Sequence, residues 1–279
     1  MHRTHIKANQ PWWKINWKEI VEYRDLLWML TVRDLTAIYK QTILGPLWFI
    51  IQPLITTLVF TVIFGQLANI STDGVPKIVF YMSGTVLWNY FSGCMTQGAN
   101  SLVSNTSILS KVYFPRLIIP LSGVISNLAH FVLNLVMFLG FYAYFLGFTP
   151  SSMHPRWELF LFPLLVIQCA LIGLGVGLWV AALTTKYRDL RFALTFLTQI
   201  WMYATPIVWP ASLVVRPSMK ILLWVNPLSF VVESARWMFT GTGTVTLLAA
   251  TVSVAITLIL LASGLLVFNR VQRNFVDTI

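Results

Sequence analysis

The side chains best suited to chemistry lie on two apolar segments, one near residue 50 and one near residue 200. Drawn as a helix at 100° per residue, the first segment has aromatic, amide and hydroxyl side chains on one half and aliphatic side chains on the other. The second segment carries the same mixture on one arc. Aromatic rings suit the apolar C–H face of a sugar, and amides and hydroxyls suit its polar rim, so the combination favours a path for a sugar chain.

The predicted path takes in both arcs and two rings of the aromatic-rich segment between them. Its residues are Phe49, Gln52, Thr56, Phe60, Phe64, Tyr81, Trp88, Phe192, Phe196, Gln199 and Tyr203. The alternative is that these rings only pack helices together or form interfacial belts.

The sequence lacks the residue patterns that are typical of ATP binding and metal binding. The sequence has no GxxxxGK[ST] loop to hold ATP phosphates, and its four histidines have no metal-binding spacing. The nine acidic residues are scattered, and four of them fall between residues 19 and 34. We therefore predict a chain that is not an enzyme and has no catalytic residue, metal site or cofactor site.

Composition indicates an integral membrane protein. The chain has 279 residues, of which 57% are hydrophobic and only 10% charged, with a mean hydropathy of +0.74. Soluble domains average about 25% charged residues, so this chain has too few charged residues to cover the surface of a soluble globular protein. The formal net charge of +10 would suit a nucleic-acid partner, but in so apolar a chain basic residues mark one side of a membrane instead.

The apolar stretches predict six membrane-spanning helices. They cover about 46–67, 78–103, 119–147, 161–184, 192–209 and 245–267. Residues 211–240 are apolar but interrupted by prolines and charges, which favours a dip into the outer leaflet over a seventh span. Fourteen of the 19 basic residues fall on the side of the termini, so both termini are predicted to be cytoplasmic.

A cytoplasmic arm, residues 1–45, precedes the six-span domain at 46–279. Residues 19–40 have an amphipathic pattern that predicts a helix lying on the membrane surface, as an anchor or as a docking element. The loops at 107–120 and 184–191 combine basic and aromatic residues, which fits either solvated connectors or contacts with a cytoplasmic partner.

Several motifs together resemble the membrane subunit of polysaccharide ABC exporters of the ABC-2 class, which carry lipid-linked O-antigen, capsular polymers and teichoic acids. The resemblance runs from about Tyr23 through most of the chain. It rests on the segments YRDLLWMLTVRDLTAIYKQTILGPLWFIIQPL, SNTSILSKVYFPRLIIPL, KYRDLR, ATPIVWP and NPLSFVVESAR.

The resemblance implies a homodimer in the bacterial inner membrane, bound to two copies of a separate ATPase that holds ATP and Mg. It also implies that residues 211–240, between the fifth and sixth spans, form a re-entrant periplasmic hairpin. ATPase docking would involve Glu22, Arg24, Asp25, Lys111, Tyr113, Phe114, Arg116, Arg188 and Asp189. A gate for the head group of an undecaprenyl-pyrophosphate-linked polymer would involve Arg33, Tyr39, Lys40, Leu44 and Gly45, whose basic members could attract the pyrophosphate.

We therefore expect the channel-forming permease of an ATP-driven polysaccharide exporter, most simply one for O-antigen. The alternatives are an ABC-2 exporter of a small lipid or drug and a secondary transporter that works without an ATPase. The lack of internal repeats and of charged residues within the predicted spans disfavours the secondary transporter.

Overall fold

The structure is a computed structural model and describes residues 17–40, 45–109, 111–149, 153–187 and 189–274. All regular secondary structure in these ranges is helical. The α-helices are α1 (Trp17–Glu22), α2 (Arg24–Tyr39), α3 (Trp48–Phe60), α4 (Lys77–Ser104), α5 (Thr106–Leu109), α6 (Ile118–Phe148), α7 (Phe162–Thr184), α8 (Leu190–Ala204), α9 (Pro217–Val225), α10 (Pro227–Thr240) and α11 (Leu247–Asn274). Short 3₁₀ turns occur at Gly45–Leu47, Trp157–Leu161 and Ala211–Leu213.

Four helical stretches of the described chain are long and apolar enough to cross a membrane. They are Trp48–Leu67, Ile118–Phe148, Trp157–Thr184 and Leu247–Gln272. Each coincides with a predicted span, the first, third, fourth and sixth. The first continues from α3 through a π-helical turn at Thr61–Leu67. The chain is thus an all-helical, multi-pass membrane protein.

The other two predicted spans differ from these four for separate physical reasons. Helix α4 has 28 residues and is therefore about 42 Å long, but it is less apolar and most of its residues are buried among other helices. Helix α8 has 15 residues, about 22 Å, because the chain turns at Thr205 and Pro206. A hydrocarbon core is about 30 Å thick, so α8 alone is shorter than a typical span.

Helix α4 lies at the centre of the bundle, between α6 and α7, and α11 packs on the far side of α7. The close crossing of α4 and α7 depends on glycine. A Cβ atom at Gly177 would lie 2.8 Å from the carbonyl oxygen of Met95. Such small residues let transmembrane helices approach closely, so α4 and α7 form a tightly packed pair.

The described part of the arm, residues 17–40, folds as two helices that break at Tyr23, and α2 packs against α6. Leu30 and Thr31 are buried, whereas Trp28 is 64% exposed although the sequence pattern places it on the apolar face. The buried side of α2 covers an apolar cluster that includes Phe114 and Leu117. Residues 1–16 and 41–44, which complete the predicted arm, lie outside the described residues.

The predicted hairpin region contains two short helices, α9 and α10, joined at Asn226. The Asn226 side chain accepts a hydrogen bond from the Leu228 amide and from the Trp201 indole, at 3.2 and 3.0 Å. Its own amide donates to Thr205 at 2.9 Å. One side chain thus connects the junction of α9 and α10 to the end of α8.

Candidate functional site

A half-open pocket of about 350 Å³ lies between α3, α4 and α6. Its lining residues are Phe49, Gln52, Pro53, Thr56, Asn89, Tyr90, Ser92, Gly93, Thr96, Asn127, His130, Phe131 and Asn134. The Phe49 ring stacks on the His130 ring with their centroids 3.9 Å apart. The pocket therefore combines aromatic side chains with amide and hydroxyl groups.

The two halves of α3 face different surroundings. Pro53, Thr57 and Phe60 are buried, while the aliphatic side chains of Ile55 and Leu58 are 52% and 46% exposed. Of the predicted path residues on this helix, Phe49, Gln52 and Thr56 line the pocket. The polar and aromatic half thus packs toward the bundle, and the aliphatic half suits lipid.

Other predicted path residues sit in the core of the single subunit. Phe60 makes edge-on ring contacts with Phe64 and Tyr81, at 5.5 and 6.3 Å between centroids. Tyr81 is fully buried, and Trp88, which is 6% exposed, packs against Phe91. Within one chain these rings pack helices together.

The predicted path residues on α8 lie at the surface of the subunit. Phe192, Phe196 and Tyr203 are 84%, 63% and 50% exposed, and Gln199 is exposed as well. The described subunit therefore does not gather all the predicted path residues around one cavity. That they form a path remains a prediction.

Of the predicted gate residues, Arg33, Lys40 and Gly45 are fully described and lie near the point where the arm joins the bundle. Arg33 donates to Asp34 at 2.8 Å and to Asn105, just after α4, at 3.1 Å. Lys40 is exposed, and Gly45 has φ +50°, a left-handed conformation that glycine adopts without strain. Leu44 and the side chain of Tyr39 lie outside the described residues.

The predicted docking residues are divided between surface and interior. Glu22, Arg24, Asp25, Lys111 and Asp189 are exposed, and Arg188 lies outside the described residues.

Around the loop after α5, Tyr113 is 64% exposed. Its pKa is raised by partial burial and by the carboxylate of Glu19 on α1. Phe114 is only 4% exposed and packs beneath α2. Burial lowers the pKa of Arg116, which is half-buried. This loop is therefore fixed against the arm.

A chain of hydrogen bonds connects the arm to the pocket. Asp34 on α2 accepts from the Gln97 amide on α4 at 3.0 Å. The Gln97 oxygen accepts from Asn127 on α6 at 2.6 Å and from Ser126 at 3.3 Å. Since Asn127 lines the pocket, a displacement of α2 would also move hydrogen-bonding groups of the pocket.

A sequence profile of the ABC-2 type transporter family matches residues 25–240. The chain belongs to this family. The match begins in α2 and ends in α10, so it includes the arm helix, the pocket and the α9–α10 region. The resemblance to the ABC-2 class stated from sequence motifs is confirmed.

Three curated ABC-2 relatives match most of the chain. The O-antigen export system permease protein RfbA of Myxococcus xanthus is 31% identical over 224 residues, 80% of this chain and 83% of the relative. Two Klebsiella pneumoniae proteins of the same name are 29% and 26% identical. Their matches cover 91% of this chain and 94% of each relative.

Sequence reasoning missed the contribution of α6 to the pocket of this ABC-2 protein. Asn127, His130 and Asn134 are spaced by three and four residues, which places them on one helical face. That spacing is a usable signal for a polar face on α6, which is otherwise a strongly apolar span.

Proposed function

We propose that this chain is the channel-forming permease subunit of an ATP-driven exporter that moves a lipid-linked polysaccharide, O-antigen, across the bacterial inner membrane. One observation carries the proposal: three O-antigen export permeases align with 80% or more of the chain and of themselves. Membership of the ABC-2 family supports it independently. The protein is thus a transporter, and ATP hydrolysis belongs to a separate subunit that binds ATP and Mg.

The proposed topology has six spans, α3, α4, α6, α7, α8 and α11, with α9 and α10 as a re-entrant periplasmic hairpin. The length of α4 and its position among apolar helices support its assignment as a span. The excess of basic residues on one side supports cytoplasmic termini.

The proposed assembly is a homodimer with two ATPase subunits. The exposed charges of α1 and α2, together with Lys111, Tyr113 and Asp189, are available to a cytoplasmic partner. Arg33 and Lys40 would attract the pyrophosphate of an undecaprenyl-linked polymer, and the exposed rings of α8 would meet the second subunit or the passing chain.

Complementation tests the proposal. A strain lacking its own O-antigen permease would receive this chain together with an ABC ATPase subunit, and surface polysaccharide would be measured. We expect export with the intact ATPase and none with an ATPase variant that cannot bind ATP. Export that continues without any ATPase would contradict the proposal.

Surface rings on α8 test the path. Phe196→Ala combined with Tyr203→Ala is expected to slow export several-fold, since both side chains are at least 50% exposed, and the amount of assembled complex would be measured alongside. Ile200→Ala, on the same helix and 48% exposed, is the matched control. Equal export by both variants would show that these rings are not part of the path.

A further inference from the structure

Two buried polar atoms beside the pocket between α3, α4 and α6 have no hydrogen-bond partner among the described residues. They are Oδ1 of Asn134, a residue only 5% exposed, and Nε2 of His130. Both residues line the pocket, but these two atoms are closed off from solvent and do not face its open space. The polar groups that an occupant can reach belong to lining residues that are exposed or half-buried, such as Gln52, Asn89 and Thr96. In the interior of a membrane protein such groups favour an occupant that supplies hydrogen bonds.

The lining of the pocket restricts the chemistry of that occupant. No lysine, arginine, aspartate or glutamate is among the lining residues that the structure describes. A phosphate would lack a cation, a metal ion would lack a carboxylate, and a hydrocarbon chain would leave the amides unpaired. An uncharged group that is rich in hydroxyls needs neither a cation nor a carboxylate, and it can form hydrogen bonds with the amides.

The shape of the pocket suits one sugar ring. Phe49 and His130 line the pocket as a stacked pair, 15° from parallel, and the outer face of such a pair suits the C–H face of a pyranose. Gln52 and Asn89 are among the lining residues whose amides can bond its hydroxyls. A volume of about 350 Å³ lies at the lower end of small-molecule sites, so it excludes a long oligosaccharide.

We propose that this pocket binds a single neutral sugar residue of the exported polymer, an inference that rests on the proposed function. The site involves the first turns of α3, where Phe49 lies, and is connected to the arm by the hydrogen bonds of Asn127, Gln97 and Asp34. A sugar bound there occupies the end of the bundle that carries the arm. Its contact with Asn127 provides a route by which occupancy affects α2.

Site-specific alkylation tests binding directly. Thr96 lines the pocket and is exposed, while the natural Cys94 and Cys169 are fully buried. Thr96→Cys in the full chain, with its ATPase, would be labelled with N-ethylmaleimide in membranes that contain the lipid-linked polymer and in membranes from cells blocked in its synthesis. We expect labelling to be at least five-fold slower when polymer is present.

The control for this measurement is Ser104→Cys, an exposed position at the end of α4 outside the pocket, whose rate should be the same in both membranes. Equal rates at Thr96→Cys in the two membranes would mean that the pocket holds only water, and would overturn the proposal.

Removal of hydrogen-bonding groups tests the role of the site in export. Asn134→Leu and Gln52→Leu should each reduce polymer export at least five-fold, and Gln52 is exposed, so its replacement leaves the fold intact. Asn100→Leu is the control because Asn100 bonds only its own helix in the described structure, at the Thr96 carbonyl. Normal export by both pocket variants would also overturn the proposal.

The two readouts separate this inference from the proposed function. Export by the unmodified chain tests the function, and the ratio of labelling rates tests the pocket. Slower labelling with polymer in a chain that cannot export would support the pocket and contradict the exporter.

Discussion

The ion pair between Glu233 and Arg236 is the most buried charge pair in the described structure. Arg236 is 1% exposed, donates to the Pro206 carbonyl at 3.0 Å and lies 3.7 Å from the centre of the Phe80 ring. Glu233 also accepts from the Thr244 amide at 3.2 Å. The pair therefore connects α10 to α4, to the turn after α8 and to the segment after α10.

We expect Glu233→Gln to lower the free energy of unfolding by about 3–5 kcal/mol, because it leaves a buried cation without its counter-charge. The measurement is equilibrium unfolding in detergent.

Glu158→Gln is the matched control, since the Arg156–Glu158 pair is partly exposed and should contribute below about 1 kcal/mol. Similar losses in the two variants would show that burial does not govern the effect.

Tyr113 predicts a pH dependence for the contact between the arm and the following loop. Partial burial and the nearby Glu19 carboxylate raise the pKa of Tyr113 above its ordinary value of 10.0. The folded state therefore holds the phenolic proton more tightly than the unfolded state does. The resulting stability is complete below pH 10 and is lost as the pH rises through the higher, folded-state pKa.

Limited proteolysis of the arm, followed from pH 9 to pH 12 together with phenolate absorbance, checks this dependence. The arm should become more sensitive as Tyr113 ionises. Tyr113→Phe, which cannot ionise, should remove that increase, and an unchanged profile in this variant would contradict the assignment.

Among the helices, the crossing of α4 and α7 should tolerate added volume least. Gly177→Val would force α7 away from Met95 and Gly98, and overpacking of this kind costs about 1–3 kcal/mol or more. The midpoint of thermal unfolding should fall. Gly140→Val is the control, because a Cβ atom there meets nothing within 4 Å, and an equal fall in that variant would argue against a special crossing.

The hydrogen bonds of Gln97 should hold α2 against the bundle. Gln97→Leu removes its bonds to Asp34, Asn127 and Ser126, so hydrogen exchange in residues 17–40 should become faster. Asn100→Leu, one turn away on the same helix, should leave that exchange unchanged. Protection that is the same in both variants would mean that apolar packing alone holds the arm.

Hydropathy predicted the elements that are apolar along their whole length, which is why four of the six expected spans coincide with long apolar helices. It was a weaker guide to α4, since this helix is surrounded by protein and can carry polar side chains. For α8 it overestimated the length, because Thr205 and Pro206 turn the chain where apolar residues continue.

Most of the candidate site depends on tertiary contacts and therefore could not be predicted from local sequence. The face of α3 followed from helical periodicity. The burial of Phe114 depends on the arm lying across it, and the pocket depends on three helices separated in sequence, so local spacing alone could not reveal either.

At the scale of the whole molecule, the exposed rings of α8 predict where two subunits meet if the protein is a homodimer. A cysteine at Phe196, which is 63% exposed, should form a disulfide or a short-linker crosslink between subunits in native membranes. Phe148→Cys on α6, 80% exposed in the free subunit, is the control. Crosslinks at position 148 but not at 196 would place the interface elsewhere.

The moderate hydropathy of α4 has a consequence for how the protein is made. A segment with so many polar residues gains little by entering lipid alone, and its partners α6 and α7 are synthesised after it. We expect α4 to stay beside the insertion machinery until α6 and α7 have been synthesised. The centre of the bundle would then be completed late in synthesis.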